Sequence, residues 1–349
     1  MSARRPIPTI AWILAGGTAL ALVALDVQLL RDHGVQWFFR AGDPVFYRAV
    51  ARAPFGNGHS VAALAEAGEA PYRYGRIGMP LLAWLLGLGR PGAVEWTLGA
   101  LHQLGLVAIP FLAATLLDGY GAPAIGGAAV LAVPGLLAIY DRPYVEPFLI
   151  AILLLAVIAL TKGRRRWAWC LVAAAILTKE TAAIALVPLI WHELRMRKPR
   201  EAAVWAGAVM PYAVWAGWVR VRVGEFPFLA KTPARAGALA FPGVGIHDVL
   251  VQKSPDHVIV VVMVLATIAI GLAAAWTARP FVGAGFAAVF ALFAACFGAN
   301  ALRYEGDTLR LLALPQVFAL LCLVVGWSAL RAERPDRADL ALSARNTDL

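Results

Sequence analysis

Long apolar runs alternate with short, sharply polar connections along this chain. Apolar runs cover residues 10–25, 94–117, 122–140, 145–161, 202–219, 258–277, 281–299 and 311–330. Most approach the ~20 residues needed to cross about 30 Å of hydrocarbon as a helix. Continuous apolar runs, rather than short alternating ones, point to helices and away from a membrane barrel. Residues 79–89 are apolar but too short to span, so a re-entrant or buried half-helix is expected there. Residues 167–194 lie between two dense cationic clusters, Lys162–Arg166 and Arg195–Arg200. If both clusters share one face, that segment crosses an even number of times. Two short helices meeting at Thr178-Lys179-Glu180-Thr181 satisfy this parity; a single tilted span would invert everything downstream. The fold expected is all-α and polytopic, with about ten membrane helices plus re-entrant or interfacial half-helices.

Composition supports the same class. Of 349 residues, 61% are hydrophobic and 15% charged, and the mean hydropathy is +0.71. A soluble domain is about 45–50% apolar and about 25% charged. One transmembrane domain over residues 1–331 is expected, followed by a polar, disordered cytoplasmic tail at 332–349. No separable soluble domain and no internal repeat of the transporter kind is visible. The N-terminal segment has a basic start and an apolar run, as a secretory signal does. Its length and the lack of a cleavage site favour an uncleaved first helix.

Charge then sets the orientation. Arg4, Arg5 and the two dense clusters place both termini in the cytoplasm, in the inner or plasma membrane of the cell. Residues 26–80 and 220–257 become the two large outer loops. The net charge is +10. The cations sit between apolar runs, so anionic lipid headgroups or a lipid phosphate are the expected partners, and nucleic acid is not. Several cations lie on the outer loops, which suggests an anionic ligand on that side. The three cysteines all fall inside apolar runs and the six histidines form no ligand pattern, so disulfide and zinc readings are poor. No metal site or cofactor is identified; a divalent metal would be compatible but has no support.

The polar stretch from Arg40 to Pro80 concentrates the chemistry. Asp43 stands between Gly42 and Pro44, which is good turn chemistry on its own. Its company changes that reading: aromatic residues follow, then Tyr72-Arg73-Tyr74-Gly75-Arg76. A carboxylate can take a proton from an acceptor hydroxyl, and planar guanidiniums can hold a phosphate. Tyrosines such as Tyr47 and Tyr72 can stack on a sugar or sit at headgroup level. Glu146 opens a helix, where a carboxylate suits the dipole; a plain first-turn role and a site role are equally served. Lys179 and Glu180 fall within the membrane on the hairpin reading, where ionisable groups are functional candidates or form a structural pair at the turn. Arg303 precedes the last apolar run, as a site cation or a snorkelling residue. Asp26 and Asp32 are further candidate bases, and tryptophans such as Trp37, Trp84, Trp96 and Trp218 are expected as interface anchors.

The order Asp43…Phe46-Tyr47…Pro54-Phe55, then Tyr72-Arg73-Tyr74-Gly75-Arg76-Ile77-Gly78-Met79-Pro80, resembles the first outer loop of GT-C type glycosyltransferases. Tyr144-Val145-Glu146-Pro147-Phe148 is similar to a Ser/Thr-Glu-Pro helix start in lipid-linked mannosyltransferases, and Leu177-Thr178-Lys179-Glu180-Thr181 to their Leu-Thr-Arg/Lys-Glu turn. The resemblance covers residues from about 40 to 195. Gly42 and Pro44 depart from the family's usual Tyr-Asp-Gly, and Arg48 replaces a common tyrosine. The resemblance implies an inverting hexosyl or mannosyl transferase using a polyprenyl-phosphate sugar and an unidentified acceptor. Asp43 would be the base, with Tyr47, Tyr72, Arg73, Arg76, Glu146, Lys179, Glu180 and Arg303 around the substrate or lipid phosphate. A lipid or glycolipid flippase, or a non-catalytic partner on the same scaffold, are the alternatives.

Overall fold

The computed structural model describes residues 9–34, 39, 42–56, 70–140, 142–230, 239–251, 255–278, 281–299, 301–302 and 305–332. Among these the chain is helical, with one isolated bridge, Leu239 to Phe297, in place of any sheet. In chain order the helices are α1 (Thr9–His33), α2 (Asp43–Arg52), α3 (Ala70–Tyr74), α4 (Gly78–Leu86) and α5 (Pro91–Gly119). Next come α6 (Gly126–Ala129), α7 (Pro134–Leu137), α8 (Glu146–Thr161) and α9 (Arg165–Thr178). Then follow α10 (Leu186–Arg195), α11 (Pro199–Ala206), α12 (Met210–Val223) and α13 (Val244–Val251). The last three are α14 (Pro255–Thr277), α15 (Gly283–Ala294) and α16 (Glu305–Ala332).

This is a multi-pass membrane protein. Among the described residues four stretches are long and apolar enough to cross a bilayer: Pro91–Gly119, Pro199–Val223, Val258–Thr277 and Asp307–Arg331. The apolar helices Glu146–Thr161 and Gly283–Ala294 are shorter. Two expected elements take another form. The run at 122–140 is not one continuous helix but α6, a 3-10 turn and α7. Pro134 lacks an N–H to continue the helix and forces Val133 into an extended conformation, φ −61° and ψ 124°. The first helix does not stop at 25 but runs on to His33, because the polar residues from Asp26 cost a helix nothing at its exposed end.

The hairpin parity is resolved by geometry. Arg165 at the start of α9 pairs with Glu193 near the end of α10. The two helices therefore fold back on each other, and the two cationic clusters meet at one end. The break is at Lys179, whose backbone is extended (φ −156°, ψ 122°). A 3-10 turn, Glu180–Ala185, then leads into α10. The hairpin tip is thus carried deep into the protein, beside the start of α8.

The core that frames this tip is apolar. α5 packs on α8, α8 on α9, and α14 and α15 on α16. A second, smaller cluster holds Tyr47, Ala51, Met79, Ala83, Leu98 and Val145, which seats α2 on α4 and α5. Gly78 is the tightest crossing near the site. A Cβ there would lie 2.5 Å from Thr178 Oγ1 and 2.7 Å from the Thr178 nitrogen. Only glycine lets the start of α4 touch the end of α9, and that contact brings Arg76 to the hairpin tip.

Candidate active site

Asp43 is the first residue of α2. Gly42 before it adopts φ 71° and ψ −158°, a region essentially reserved for glycine. Pro44 fits the first helical turn, where its missing N–H costs nothing. The Gly-Asp-Pro sequence thus starts a helix here instead of making an isolated turn. It also leaves the Asp43 side chain aimed away from the helix, at three guanidiniums.

Those guanidiniums come from two distant parts of the chain. Arg73 Nη1 donates to Asp43 Oδ1 at 2.6 Å, and Arg310 Nη1 donates to Oδ2 at 2.8 Å. Arg76 Nη1 lies 3.7 Å from Oδ2. Arg76 also makes a two-pronged pair with Glu180, Nε to Oε2 at 3.1 Å and Nη2 to Oε1 at 3.0 Å. It donates to the Tyr47 hydroxyl at 3.2 Å and contacts that of Tyr72. On the other side Lys179 Nζ donates to Glu146 Oε1 at 2.8 Å, and Arg310 Nε lies 3.7 Å from the same oxygen. The result is one continuous chain of charges: Glu180, Arg76, Asp43, Arg310, Glu146, Lys179, with Arg73 at its side.

Aromatic faces complete the first ring of contacts. Arg73 lies over Phe46, 4.4 Å from the ring centre, Arg76 over Tyr72 at 4.3 Å, and Arg310 over Tyr144 at 4.8 Å. Such stacking favours a guanidinium in a desolvated place. Arg73, Arg76, Glu146 and Lys179 are all buried. With the largely buried Asp43, Glu180 and Arg310, four cations face three carboxylates, an excess of one positive charge before the rim residue Asp307 is counted. The half-exposed Asp307 touches Arg310 from the rim at 3.5 Å.

Burial would raise the pKa of Asp43, but Arg310, Arg73 and Arg76 outweigh it and hold the carboxyl well below its ordinary range. Burial pushes the Tyr72 phenol up to about 12. In Arg76 the neighbouring Glu180 overcomes burial and keeps the guanidinium charged.

Two cavities border this network. A small one of about 40 Å³ is lined by Glu146, Lys179 and Arg310 at one end and by Phe290, Phe293 and Phe297 at the other. Two buried polar atoms of residues on its wall, Glu146 Oε2 and Arg310 Nε, have no hydrogen-bond partner among the described residues. A larger one of about 520 Å³ lies on the far side of the hairpin tip, lined by Phe55, Leu81, Leu177, Trp215 and Trp218 among others. Its lining includes Ile77, Gly78 and Thr178, which adjoin Arg76 and Lys179 in sequence. Among the described residues no group of three or more His, Cys, Asp or Glu side chains could hold a metal ion.

Of the residues singled out from the sequence, the structure brings Asp43, Tyr47, Tyr72, Arg73, Arg76, Glu146, Lys179 and Glu180 together. Arg303 lies outside the described residues. Arg310 was missed by sequence reasoning, and it is the cation that bridges Asp43 to Glu146. Its signal was present: an arginine in the second turn of an otherwise apolar helix is costly unless it has a task. Asp32 is exposed and takes a hydrogen bond from Gln28 at 3.0 Å, away from the network. Trp84 and Trp218 both pack with Phe55, and Trp218 lines the larger cavity; Trp96 is exposed.

The helical arrangement, with a charged pocket beneath α2 and α3 and a helical hairpin tip inserted against it, is a GT-C type fold. Over 88% of its length the chain is similar to ArnT from Cupriavidus metallidurans bound to undecaprenyl phosphate, with a TM-score of 0.50 and 16% sequence identity. The chain spans about 60% of that protein's length, and at this identity the likeness is one of fold. No protein-family model matches the chain. No curated protein matches it either.

Proposed function

We propose that this protein transfers a sugar from a polyprenyl-phosphate donor to an acceptor at the extracytoplasmic face of the membrane. The observation that carries the reading is the buried charge balance. Arg73, Arg76, Lys179 and Arg310 outnumber Asp43, Glu146 and Glu180 by one, and the further carboxylate on Arg310, Asp307, is half-exposed at the rim. A phosphate on a lipid supplies the missing negative charge without bringing a soluble counter-ion into an apolar place. The solved relative in fold holds undecaprenyl phosphate, which supports the same ligand class here. The larger apolar cavity suits the prenyl chain, because Ile77 and Thr178 of its lining are next in sequence to Arg76 and Lys179.

The reaction is a single displacement with inversion. The acceptor oxygen attacks the anomeric carbon while its proton passes to the Asp43 carboxylate. The bond from the anomeric carbon to the phosphate oxygen breaks, and its electron pair leaves on polyprenyl phosphate. The guanidiniums and Lys179 stabilise the charge that grows on that oxygen. In the ligand-free arrangement Asp43 is a weak base, since three guanidiniums hold it ionised. An arriving phosphate competes for those same donors. It loosens their grip on Asp43 and adds a like charge nearby, and both effects raise the proton affinity of the carboxylate. Donor binding thus switches the base on. The small cavity has room for only about two or three waters, so the sugar enters with movement of α2 and α3.

The same ion-paired Asp43 favours a second reading, a protein that binds or moves the lipid without bond breaking. The test uses full-length protein in proteoliposomes with a radiolabelled polyprenyl-phosphate hexose. Wild type is expected to release polyprenyl phosphate, and Asp43→Asn to lose that release by about 10²-fold or more. Near-wild-type turnover by Asp43→Asn overturns the base assignment. Translocation of label with no cleavage by either protein favours the transport reading.

A further inference from the structure

The opposite end of the helix hairpin carries a second concentration of charge that the proposed reaction does not use. Residues 162–166 hold four cations and residues 195–200 four more. The hairpin brings these loops together at the far end of α8, about 24 Å from Glu146 along the helix. The contact is built. Arg165 reaches Glu193 and lies 3.6 Å from Glu201, and Trp169 Nε1 on α9 donates to the Val204 carbonyl on α11 at 2.8 Å. Between the loops lies an open cavity of about 380 Å³ lined by Arg165, Arg197, Lys198, Pro199, Arg200 and Glu201. Arg197 adopts φ 57°, an uncommon conformation for a residue with a Cβ. Among the described residues, the ion pairs of Glu193 and Glu201 run to Arg165, and Arg197, Lys198 and Arg200 line the cavity with Glu201 as its single carboxylate.

Two tryptophans set the level of this cavity. Trp167 near the start of α9 is 67% exposed and Trp191 near the end of α10 is 66% exposed. Trp167 directly follows Arg166 and Trp191 stands about one turn before Arg195, one on each arm. Indoles at that position mark the boundary between hydrocarbon and headgroups. A concave cationic site at headgroup level fits lipid phosphates better than a soluble anion.

We propose that the cavity between residues 162–166 and 195–200 binds the phosphates of an anionic phospholipid on the membrane face opposite the candidate active site. A headgroup with two phosphates matches its size and the cations that line it, which outnumber Glu201. The test is native mass spectrometry of the full-length protein released from phosphatidylcholine nanodiscs doped with cardiolipin. Wild type is expected to retain cardiolipin in preference to phosphatidylcholine. The triple variant R197Q/K198Q/R200Q is expected to weaken that retention by about a hundredfold, while R197K/R200K keeps it. Arg331→Gln, on the same membrane face but outside the cavity, is expected to leave it unchanged. Equal retention of the two lipids, or equal cardiolipin retention by wild type and the triple variant, overturns the proposal. Full displacement of the lipid by inorganic pyrophosphate, with no lipid preference left, would make this a soluble-phosphate site and overturn it as well.

Discussion

Arg310 donates to Asp43 at 2.8 Å across 267 positions of sequence. That one contact ties the first polar loop to the last helix and closes the charge chain. Since each group is buried, losing one partner leaves the other uncompensated, which costs about 3–5 kcal/mol. Asp43→Asn and Arg310→Gln are each expected to lower thermal stability strongly in detergent. The double variant is expected to be less than additive, with a coupling of about 0.5–3 kcal/mol. Additivity of the two losses would mean that the contact carries no energy.

The acid response of Asp43 has a definite sign. Its folded pKa lies below the unfolded value of 3.8. Its stabilisation is therefore complete above pH 3.8 and is lost only as pH falls towards the folded value. The stability gap between wild type and Asp43→Asn is expected to stay flat from neutral pH down to about pH 5 and to narrow only below about pH 4. Unfolding in urea as a function of pH measures this directly. The proposed switch adds a kinetic counterpart. The acid limb of kcat, set by the donor complex, is expected at higher pH than that of kcat/KM, set by the free enzyme.

Gly78 tests the docking of the loop on the hairpin tip. Gly78→Ala places a Cβ against Thr178 backbone as well as its hydroxyl, so overpacking is expected to cost about 1–3 kcal/mol. Adding Thr178→Ala removes only the hydroxyl contact and is expected to recover little. Turnover is expected to fall more than stability, because Arg76 moves with the start of α4.

Glu146 and Lys179 form the other end of the network. Lys179→Met alone strands the Glu146 carboxylate and is expected to destabilise by about 3–5 kcal/mol. The pair Glu146→Gln with Lys179→Met is expected to fold nearly as well as wild type yet fail to bind the lipid phosphate. Thermal unfolding with and without undecaprenyl phosphate separates the two effects.

Much of this was legible in the residues, for identifiable reasons. Asp43, Arg73, Arg76, Glu146, Lys179 and Glu180 are polar groups in motifs bordered by apolar runs, and such groups stand out. The helix hairpin was the reading that charge parity favoured, because four cations stand at each end of residues 167–194, a stretch long enough for one crossing but short for two. Arg310 did not stand out, since hydropathy averaged over a span hides one charge among leucines. Arg303, seven positions earlier, stands out in the sequence instead because it precedes the last apolar run. The break at 122–140 was hidden because apolar content is the same in a straight helix and a broken one; only Pro134 marks the difference. Long-range pairing across 267 positions leaves no local trace at all.

The most direct test of the central claim is a cryo-EM structure of this protein with undecaprenyl phosphate bound. The account predicts the phosphate within hydrogen-bonding distance of Arg310 and Lys179, with Asp43 released from at least one guanidinium and the prenyl chain along Leu81, Leu177 and Trp215. A phosphate seated elsewhere, with the Asp43–Arg73–Arg310 pairs unchanged, would contradict it.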